Sequence, residues 1–379
     1  MSVQLDLRAE EMRLRVVRRP LRHDSAPKHV AGSATFIDDM REPEGLLHIA
    51  VGGAPVAGGQ LLGVDLAAVR AAPGVVAVLT AADIPGKNDV SPIAGDDPVF
   101  VESRIEFHGQ VVFAVVARTR GEARRAAKLA KIEASVGTYC VSVDDALAAD
   151  SHVLPDYTFR KDDSAAALAE SAKRIKGRLR IGGQEHFYLE GQVSLAIPGE
   201  DGDMLVYCST QHPSECQHLI AKVLKVPDVA VTVEVRRMGG AFGGKETQAA
   251  QWAAIAALGA RLTGKPCKIR LDRDDDMNLT GKRHDFLADY EVGVDAEGRI
   301  QALETVMASR CGYSADVSAA INDRAMFHAD NAYYLPAATI TTKRMKTNTV
   351  SQRGWRQLPL HCDADADLKA GWRREESSG

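Results

Sequence analysis

The sequence predicts an α+β fold of more than one domain, because short β-branched runs alternate with runs of helix-forming residues. A strand, a glycine-rich loop and a helix follow one another between residues 231 and 262, and two strands joined by a glycine turn lie between 286 and 307. A chain of 379 residues is long enough for two or three domains, each with its own core.

Residues 1–28 are mixed and charged, and we predict an N-terminal arm there. Residues 29–140 are predicted to form a first domain, with a helical turn at 81–85. The predicted strands are 46–51, 75–79 and 111–116, and the predicted helices are 63–71 and 120–132. Residues 141–165 are rich in Asp, Ala and Pro and are predicted to be a linker over the surface.

A helix-forming run begins at residue 166, and alternating elements follow it. The predicted strands are 204–208, 231–235 and 267–271, and the predicted helices are 215–224 and 247–262. The acidic run 272–276 is predicted to be a solvated or ion-paired loop.

The composition favours a cytoplasmic protein without nucleic-acid or membrane partners. A net charge of −4 gives no field that attracts either. Charges interrupt the longest apolar stretches, and the N-terminus has no secretory apolar region. The six cysteines are scattered without a Cys-x-x-Cys pair, so no disulfide framework, iron–sulfur site or zinc site is expected.

Four glycines lie in the loop before the long helix: Gly239, Gly240, Gly243 and Gly244. Because glycine has no Cβ, this backbone can take positive φ and bring its N–H groups close to a ligand where a helix begins. Such a place suits an anionic ligand.

The spacing from Gly239 to Lys245 also matches most of a phosphate-binding P-loop, which requires Ser or Thr as the next residue. Here Glu246 follows, whose carboxylate would repel phosphates, and the hydroxyl of Thr247 comes one place late. A nucleotide-binding protein is therefore the weaker alternative, and a tight turn that packs a helix on a sheet is a further one.

Four stretches together resemble the xanthine dehydrogenase and aldehyde oxidase family, in its molybdopterin-binding large subunit. They are HDSAPKHVAGSATFIDDM at 23–40, GGQEHFYLEGQ at 182–192, GGAFGGKET at 239–247 and NDRAMFHADNAYYLP at 322–336. The resemblance extends over most of the chain to about residue 350. It implies an α/β hammerhead domain at 29–140 and the N-terminal portion of a molybdopterin-binding domain at 166–351.

The resemblance implies contacts with a molybdenum–molybdopterin cofactor. Gln184 matches the glutamine whose amide donates a hydrogen bond to an oxo ligand of molybdenum, a role that suits an uncharged donor. Phe242 and Gly243 match groups placed close to the molybdenum centre.

Two further residues match the family's substrate contacts. Glu246 matches the carboxylate that hydrogen-bonds the purine ring in xanthine dehydrogenases, where aldehyde oxidases look apolar. Arg324 matches a guanidinium that stabilises negative charge on a substrate oxygen. From the residues alone, an acid at a helix N-terminus and a surface ion pair stay open as alternatives. The neighbouring polar residues Glu185, His186 and Glu190 are predicted to be structural.

The match stops after residue 351, and residues 352–379 form a tail typical of a shifted reading frame. Arg356 falls where the family has an arginine, but its neighbours differ, so no role is assigned to it. The general-base glutamate and the remaining cofactor contacts are expected in a C-terminal half that this chain lacks.

The resemblance implies a molybdenum hydroxylase that converts hypoxanthine and xanthine to urate, with water as the oxygen source. Electrons would pass through 2Fe–2S clusters and FAD on a small partner subunit to NAD, in a heterotetramer of two large and two small subunits. This chain alone is expected to be inactive. An aldehyde oxidase and a non-catalytic remnant that binds the small subunit are the alternatives.

Overall fold

The structure is a computed structural model that describes residues 17–352. Most of the predicted N-terminal arm and nearly all of the predicted tail, including Arg356, lie outside the described residues. Within the described part, helices and strands alternate, and the α+β prediction is confirmed.

The elements are numbered in chain order. The strands are β1 (Leu47–Gly53), β2 (Gly59–Asp65), β3 (Val75–Leu79), β4 (Arg104–Ile105), β5 (Val111–Ala117), β6 (Lys131–Ala134), β7 (His152–Lys161), β8 (Lys173–Ile181), β9 (Val193–Pro198), β10 (Met204–Cys208), β11 (Val231–Glu234), β12 (Cys267–Arg270), β13 (Phe286–Val294), β14 (Ile300–Gly312) and β15 (Ala337–Lys346). The α-helices are α1 (Ala26–Val30), α2 (Ala67–Arg70), α3 (Arg120–Ala127), α4 (Val143–Ala148), α5 (Ser164–Glu170), α6 (Pro213–Leu224), α7 (Ala249–Thr263), α8 (Arg273–Leu279) and α9 (Ser318–Phe327). Short 3₁₀ turns lie at Ile37–Asp39, Ala81–Asp83, Glu200–Gly202 and Asp228–Ala230.

These strands form three sheets. The first has seven strands in the order β11-β10-β9-β12-β1-β5-β3. The second has five in the order β7-β15-β14-β13-β8, and the third has three in the order β4-β2-β6. The predicted hairpin is β13 and β14, which pair antiparallel across the turn at Gly298.

The seven-stranded sheet takes strands from both predicted domains. β1 pairs in parallel with β12 on one side and antiparallel with β5 on the other. Helix α7 packs on this sheet with Trp252 and Ile255 fully buried, which explains why the helix is apolar on nearly every side. Gly264, at φ 63°, ends the helix in the left-handed conformation that glycine adopts readily. The glycine loop at the start of α7 is thus attached to the largest core.

The segment predicted as a linker, 141–165, contains regular structure. Helix α4 begins after Ser142, whose hydroxyl accepts a hydrogen bond from the N–H of Asp145. Strand β7 pairs antiparallel with β15 as an edge strand, and an edge tolerates Pro155, which has no N–H to donate. The segment predicted as a linker therefore contains a helix and an edge strand, because Asp and Pro also suit a helix cap and an edge strand.

Three predicted helices had the wrong bounds. The segment 63–71 begins within strand β2, and 120–132 runs past α3 into strand β6. The run from 166 becomes strand β8 at Lys173, where charged and partly buried residues alternate. In each case the strand pairs with a partner remote in sequence, β2 with β6 and β8 with β13. Pairing at long range therefore overrode local helix propensity.

No helix within residues 17–352 is both long enough and apolar enough to cross a bilayer.

Candidate functional site

The glycine loop, residues 239–248, is held in a conformation that few residues can adopt. Gly240, Phe242 and Gly243 all take positive φ, at 95°, 55° and 92°. A Cβ on Gly244 would lie 2.8 Å from the ring of His186, so only glycine fits there. Phe242 is the residue in this loop that takes positive φ although it is not glycine. A side chain in the left-handed region costs roughly 1–2 kcal/mol. Burial of the ring does not offset this cost in full, because 60% of the residue is exposed.

Four N–H groups of this loop donate to acceptors within the protein. Those of Gly243 and Lys245 donate to Oε1 of Gln211 at 2.9 and 3.3 Å. The N–H of Gly239 donates to Glu190 Oε2 at 2.9 Å, and that of Gly244 donates to a backbone carbonyl inside the loop. At these four positions the N–H groups therefore already have acceptors within the protein, and the lack of a Cβ at Gly244 serves close packing. This arrangement also weighs against a P-loop.

A buried ionic group lies beneath the loop, and we call Tyr188, Glu190, Ser209, Lys245 and Asp276 the buried platform. The Lys245 side chain is fully buried and its Nζ donates to the backbone oxygen of Glu190 at 2.6 Å and to Ser209 Oγ at 2.7 Å. The same Nζ lies 4.5 Å from the centre of the Tyr188 ring. Burial lowers the pKa of Lys245 to about 8, and the Glu190 carboxylate at 3.8 Å opposes that shift.

Glu190 links the glycine loop to two other segments. Its carboxylate accepts hydrogen bonds from Ser209 Oγ at 2.8 Å, from the N–H of Gly239 at 2.9 Å and from the N–H of Ile37 at 3.2 Å. These contacts agree with the structural role predicted for it. Glu185 forms an ion pair with Lys282 at 2.5 Å.

The acidic run 272–276 contributes its last residue, Asp276, to the buried platform. Asp272 caps helix α8, and Asp276 is buried inside the protein. Oδ1 of Asp276 accepts from the hydroxyl groups of Tyr188 at 2.7 Å and Thr280 at 2.8 Å. Burial, together with the Asp276 carboxylate, raises the pKa of Tyr188 well above its usual range. The run is ion-paired as predicted, since Asp272 and Asp275 both pair with Arg124, but it begins a helix rather than a loop, and its last acid faces inward.

The face above the loop brings Gln184 and Phe242 together through Arg283. Nη1 of Arg283 lies 3.4 Å from Oε1 of Gln184, and Nη2 lies 3.5 Å from the backbone oxygen of Phe242. The backbone N–H of Arg283 also donates to the backbone oxygen of Gln184 at 3.1 Å. Sequence reasoning missed Arg283. The available signal was a run of three basic or titratable residues, Lys282 to His284, directly after Gly281.

Glu246 and Arg324 stand on segments that are joined to each other. Glu246 is exposed between the buried residues Lys245 and Thr247. The Thr247 hydroxyl donates to Asp316 Oδ2 at 3.3 Å, and the chain runs from Asp316 directly into helix α9, which carries the exposed Arg324. The structure thus places the two predicted substrate residues on adjoining elements.

Two buried histidines border the site, and both are neutral at pH 7. Burial and the Arg283 guanidinium lower the pKa of His186 to about 4, and burial with Arg310 lowers that of His284 to about 3. His186 stacks on Tyr188 at 6.2 Å between ring centres, which agrees with the packed role predicted for it. Neither imidazole is placed as a metal ligand, since no group of three or more His, Cys, Asp or Glu within residues 17–352 could hold a metal ion.

Two family models match this sequence. Residues 148–357 match the molybdopterin cofactor-binding domain, and residues 31–136 match the α/β hammerhead domain of aldehyde oxidase and xanthine dehydrogenase. The first match alone covers more than half of the chain.

Curated relatives agree with these models. The chain is 39% identical over 341 residues to xanthine dehydrogenase/oxidase of Gallus gallus, and 37% identical over 340 residues to xanthine dehydrogenase of Dictyostelium discoideum. Each alignment covers 90% of this chain and 25% of the relative. The chain therefore spans about a quarter of the length of these relatives.

Solved structures share the fold. The aldehyde oxidoreductase from Desulfovibrio gigas superposes with a TM-score of 0.83 at 23% identity, over 88% of this chain and 39% of that one. CO dehydrogenase from Oligotropha carboxidovorans gives a TM-score of 0.80 at 20% identity, over 94% of this chain and 47% of that one.

Proposed function

The chain belongs to the aldehyde oxidase and xanthine dehydrogenase family, and from this premise we propose that its glycine loop contacts the molybdenum end of a molybdopterin cofactor in a purine hydroxylase. The observation that carries the proposal is the meeting of Gln184 and Phe242 at Arg283, above the buried platform. Two segments more than fifty residues apart thereby form one surface.

The residues on this surface suit an anionic, oxygen-bearing group. Gln184 supplies a side-chain donor, and the exposed ring of Phe242 supplies an apolar wall. Gly240 and Gly243 leave room because neither carries a Cβ. Since the N–H of Gly243 already donates to Gln211, the contact proposed for Gly243 is one of packing rather than hydrogen bonding.

When bound, the cofactor would supply the oxygen transfer and the electron acceptance that hydroxylation requires. The chain's own residues would orient the reactants. Gln184 would donate a hydrogen bond to the cofactor, and Phe242 would restrict the space next to it. The buried platform would hold both residues in place, because Lys245 and Glu190 connect the loops that carry them.

Glu246 and Arg324 make a purine the favoured substrate. A purine offers ring N–H donors that a carboxylate can accept and a carbonyl oxygen on which charge develops. Glu246 would accept from the ring, and Arg324 would stabilise the oxygen as negative charge grows during hydroxylation. An aldehyde needs only the second of these contacts, so an aldehyde substrate is the alternative.

A complete enzyme of this kind needs further catalytic and electron-transfer groups. These would lie outside the quarter of the relatives' length that this chain matches. We propose that a general-base glutamate belongs to a C-terminal half of such an enzyme, and that the 2Fe–2S clusters and the FAD that passes electrons to NAD belong to a small partner subunit. We also propose an assembly of two large and two small subunits.

The test is to purify the protein natively, with whatever partners accompany it, and to measure molybdenum by mass spectrometry and urate formation from xanthine. Bound molybdenum with xanthine favoured over benzaldehyde is the expected result. Glu246→Leu should then reduce kcat/KM for xanthine by about tenfold or more while sparing benzaldehyde, since one lost substrate hydrogen bond costs about 1.4 kcal/mol or more. A preparation without molybdenum would overturn the proposal.

A further inference from the structure

We propose that Arg283 is a positioning residue that fixes the side-chain amide of Gln184 with its oxygen toward the guanidinium and its NH₂ group toward the cofactor. This inference rests on the proposed function and adds a residue to it. Arg283 is neither a predicted site residue nor part of the buried platform.

The chemistry of the two side chains leaves one arrangement. A guanidinium has only hydrogen-bond donors, whereas an amide has a donor end and an acceptor end of nearly equal size. Nη1 of Arg283 lies 3.4 Å from Oε1 of Gln184. Turning the amide over would set donor against donor at that distance. Arg283 therefore removes an ambiguity that the shape of Gln184 cannot remove by itself.

Arg283 can set this orientation because it contacts the Gln184 loop twice and the glycine loop once. Its backbone N–H donates to the backbone oxygen of Gln184 at 3.1 Å, and its Nη2 lies 3.5 Å from the backbone oxygen of Phe242. The planar guanidinium spans both acceptors at once, which an ammonium cannot do. One side chain thus sets the spacing between the two segments proposed to contact the cofactor.

The segment that carries Arg283 is held by hydrogen bonds at Gly281, Lys282 and His284. The N–H of Gly281 donates to Gln248 Oε1 at 2.6 Å, and that of Lys282 donates to Gln352 Oε1 at 3.1 Å. On the other side, Nε2 of His284 lies 2.9 Å from the hydroxyl of Ser318 at the start of helix α9. The guanidinium is therefore presented from an anchored segment rather than from a free loop.

The contact should also strengthen the donor that faces the cofactor. An amide whose oxygen accepts from a cation is polarised, and its N–H groups become better donors. The role is one of orientation and polarisation through Gln184, without contact between Arg283 and the reacting atoms.

The test compares R283M with R299M in the natively assembled enzyme. Arg299 is an exposed arginine beside the β13–β14 turn and serves as the matched control. We expect R283M to keep its molybdenum content and its KM for xanthine within about twofold and to lose kcat by about 10- to 100-fold, the range seen when an orienting partner is removed. The electron paramagnetic resonance signal of Mo(V) should shift in R283M and stay unchanged in R299M.

A double variant separates positioning from general damage. If Arg283 acts through Gln184, R283M combined with Q184A should be no slower than Q184A alone, and its Mo(V) signal should equal that of Q184A. Additive losses, or an R283M signal identical to that of R299M, would overturn the inference while leaving the proposed function standing. Absence of molybdenum in the unaltered enzyme would overturn the proposed function first, and this inference with it.

Should R283M fail to fold, R283K provides the same test. An ammonium keeps the charge but cannot reach both acceptors, so the Mo(V) signal should again shift. A Mo(V) signal and kcat unchanged in R283K would contradict a role for the guanidinium.

Discussion

The buried platform and the exposed face above it include neighbouring residues that differ in burial and in hydrogen bonding. Lys245 is fully buried, with hydrogen bonds to Glu190 and Ser209, whereas the next residue, Glu246, is exposed. Burial of a charge is tolerated below the loop because each group has partners. Above the loop, polar side chains remain open to a ligand. The loop therefore separates a structural charge network from the proposed reactive surface within two residues.

The largest expected effect is acid sensitivity of the buried side. His186 and His284 protonate at about pH 4 and about pH 3 in the folded protein, against 6.5 for the ordinary imidazole. Between these values the unfolded chain binds more protons. The free energy of unfolding should therefore fall as pH drops below 6.5, by up to about 1.4 kcal/mol per pH unit for each histidine.

The measurement is a set of urea unfolding curves between pH 7 and pH 4. His186→Phe should reduce the slope of the free energy of unfolding against pH by the contribution of one histidine, because a phenyl ring binds no proton. Replacement of the exposed His108 by Asn is the matched control for the loss of an imidazole. An H186F slope equal to that of the unaltered protein would argue against a neutral buried His186.

Lys245→Met should destabilise the protein by about 3 kcal/mol, since it leaves Glu190 without its nearest cation and removes the donor to Ser209 Oγ. Glu246→Gln, one residue along, should change stability by less than about 0.5 kcal/mol. Chemical unfolding of both variants checks this contrast. Equal losses in the two would remove the distinction between platform and face.

Tyr188→Phe should cost about 1–3 kcal/mol, because Asp276 loses a buried hydroxyl donor at 2.7 Å and keeps that of Thr280. The exposed Tyr157, half accessible on edge strand β7, provides the matched substitution Tyr157→Phe, for which no loss is expected. Thermal and urea midpoints of the two variants would show whether the hydroxyl or the ring stabilises the platform. A stable Y188F would show that the ring suffices.

Phe242→Gly should change stability less than the platform substitutions do, and in the opposite direction. Glycine relieves the left-handed conformation at φ 55°, and the lost ring is largely exposed, so the free energy of unfolding should rise by up to about 1 kcal/mol. A loss of more than about 1 kcal/mol would place Phe242 with the platform instead of the face. The free energies of unfolding of F242G and the unaltered chain, measured by calorimetry, would distinguish these two outcomes.

Local sequence was sufficient where an element's own residues settle its conformation. Strands Val75–Leu79 and Met204–Cys208 have the predicted bounds because β-branched and apolar residues fill them. The long helix and the hairpin were likewise found. The helix prediction failed at Lys173 because the pairing of β8 with β13, more than a hundred residues away, outweighed local propensity.

The same division holds at the candidate site. The motifs at 182–192 and 239–247 identified the segments that meet, and the structure brings Gln184 and Phe242 together. The burial of Lys245 and the bridge made by Arg283 were not predicted. Each of these side chains has its partners more than thirty residues away in the sequence. A local pattern carries no signal for such a partner.

The sequence by itself determined the fold class, the family resemblance and the segments that carry the candidate site, because glycine spacing, β-branching and motif order are local properties. Only the tertiary structure decided which charges are buried, where the loop N–H groups donate, and which arginine joins the two segments. The physical reason is that burial and hydrogen-bond partnership depend on surfaces that come together only when strands and helices remote in the chain pack against each other.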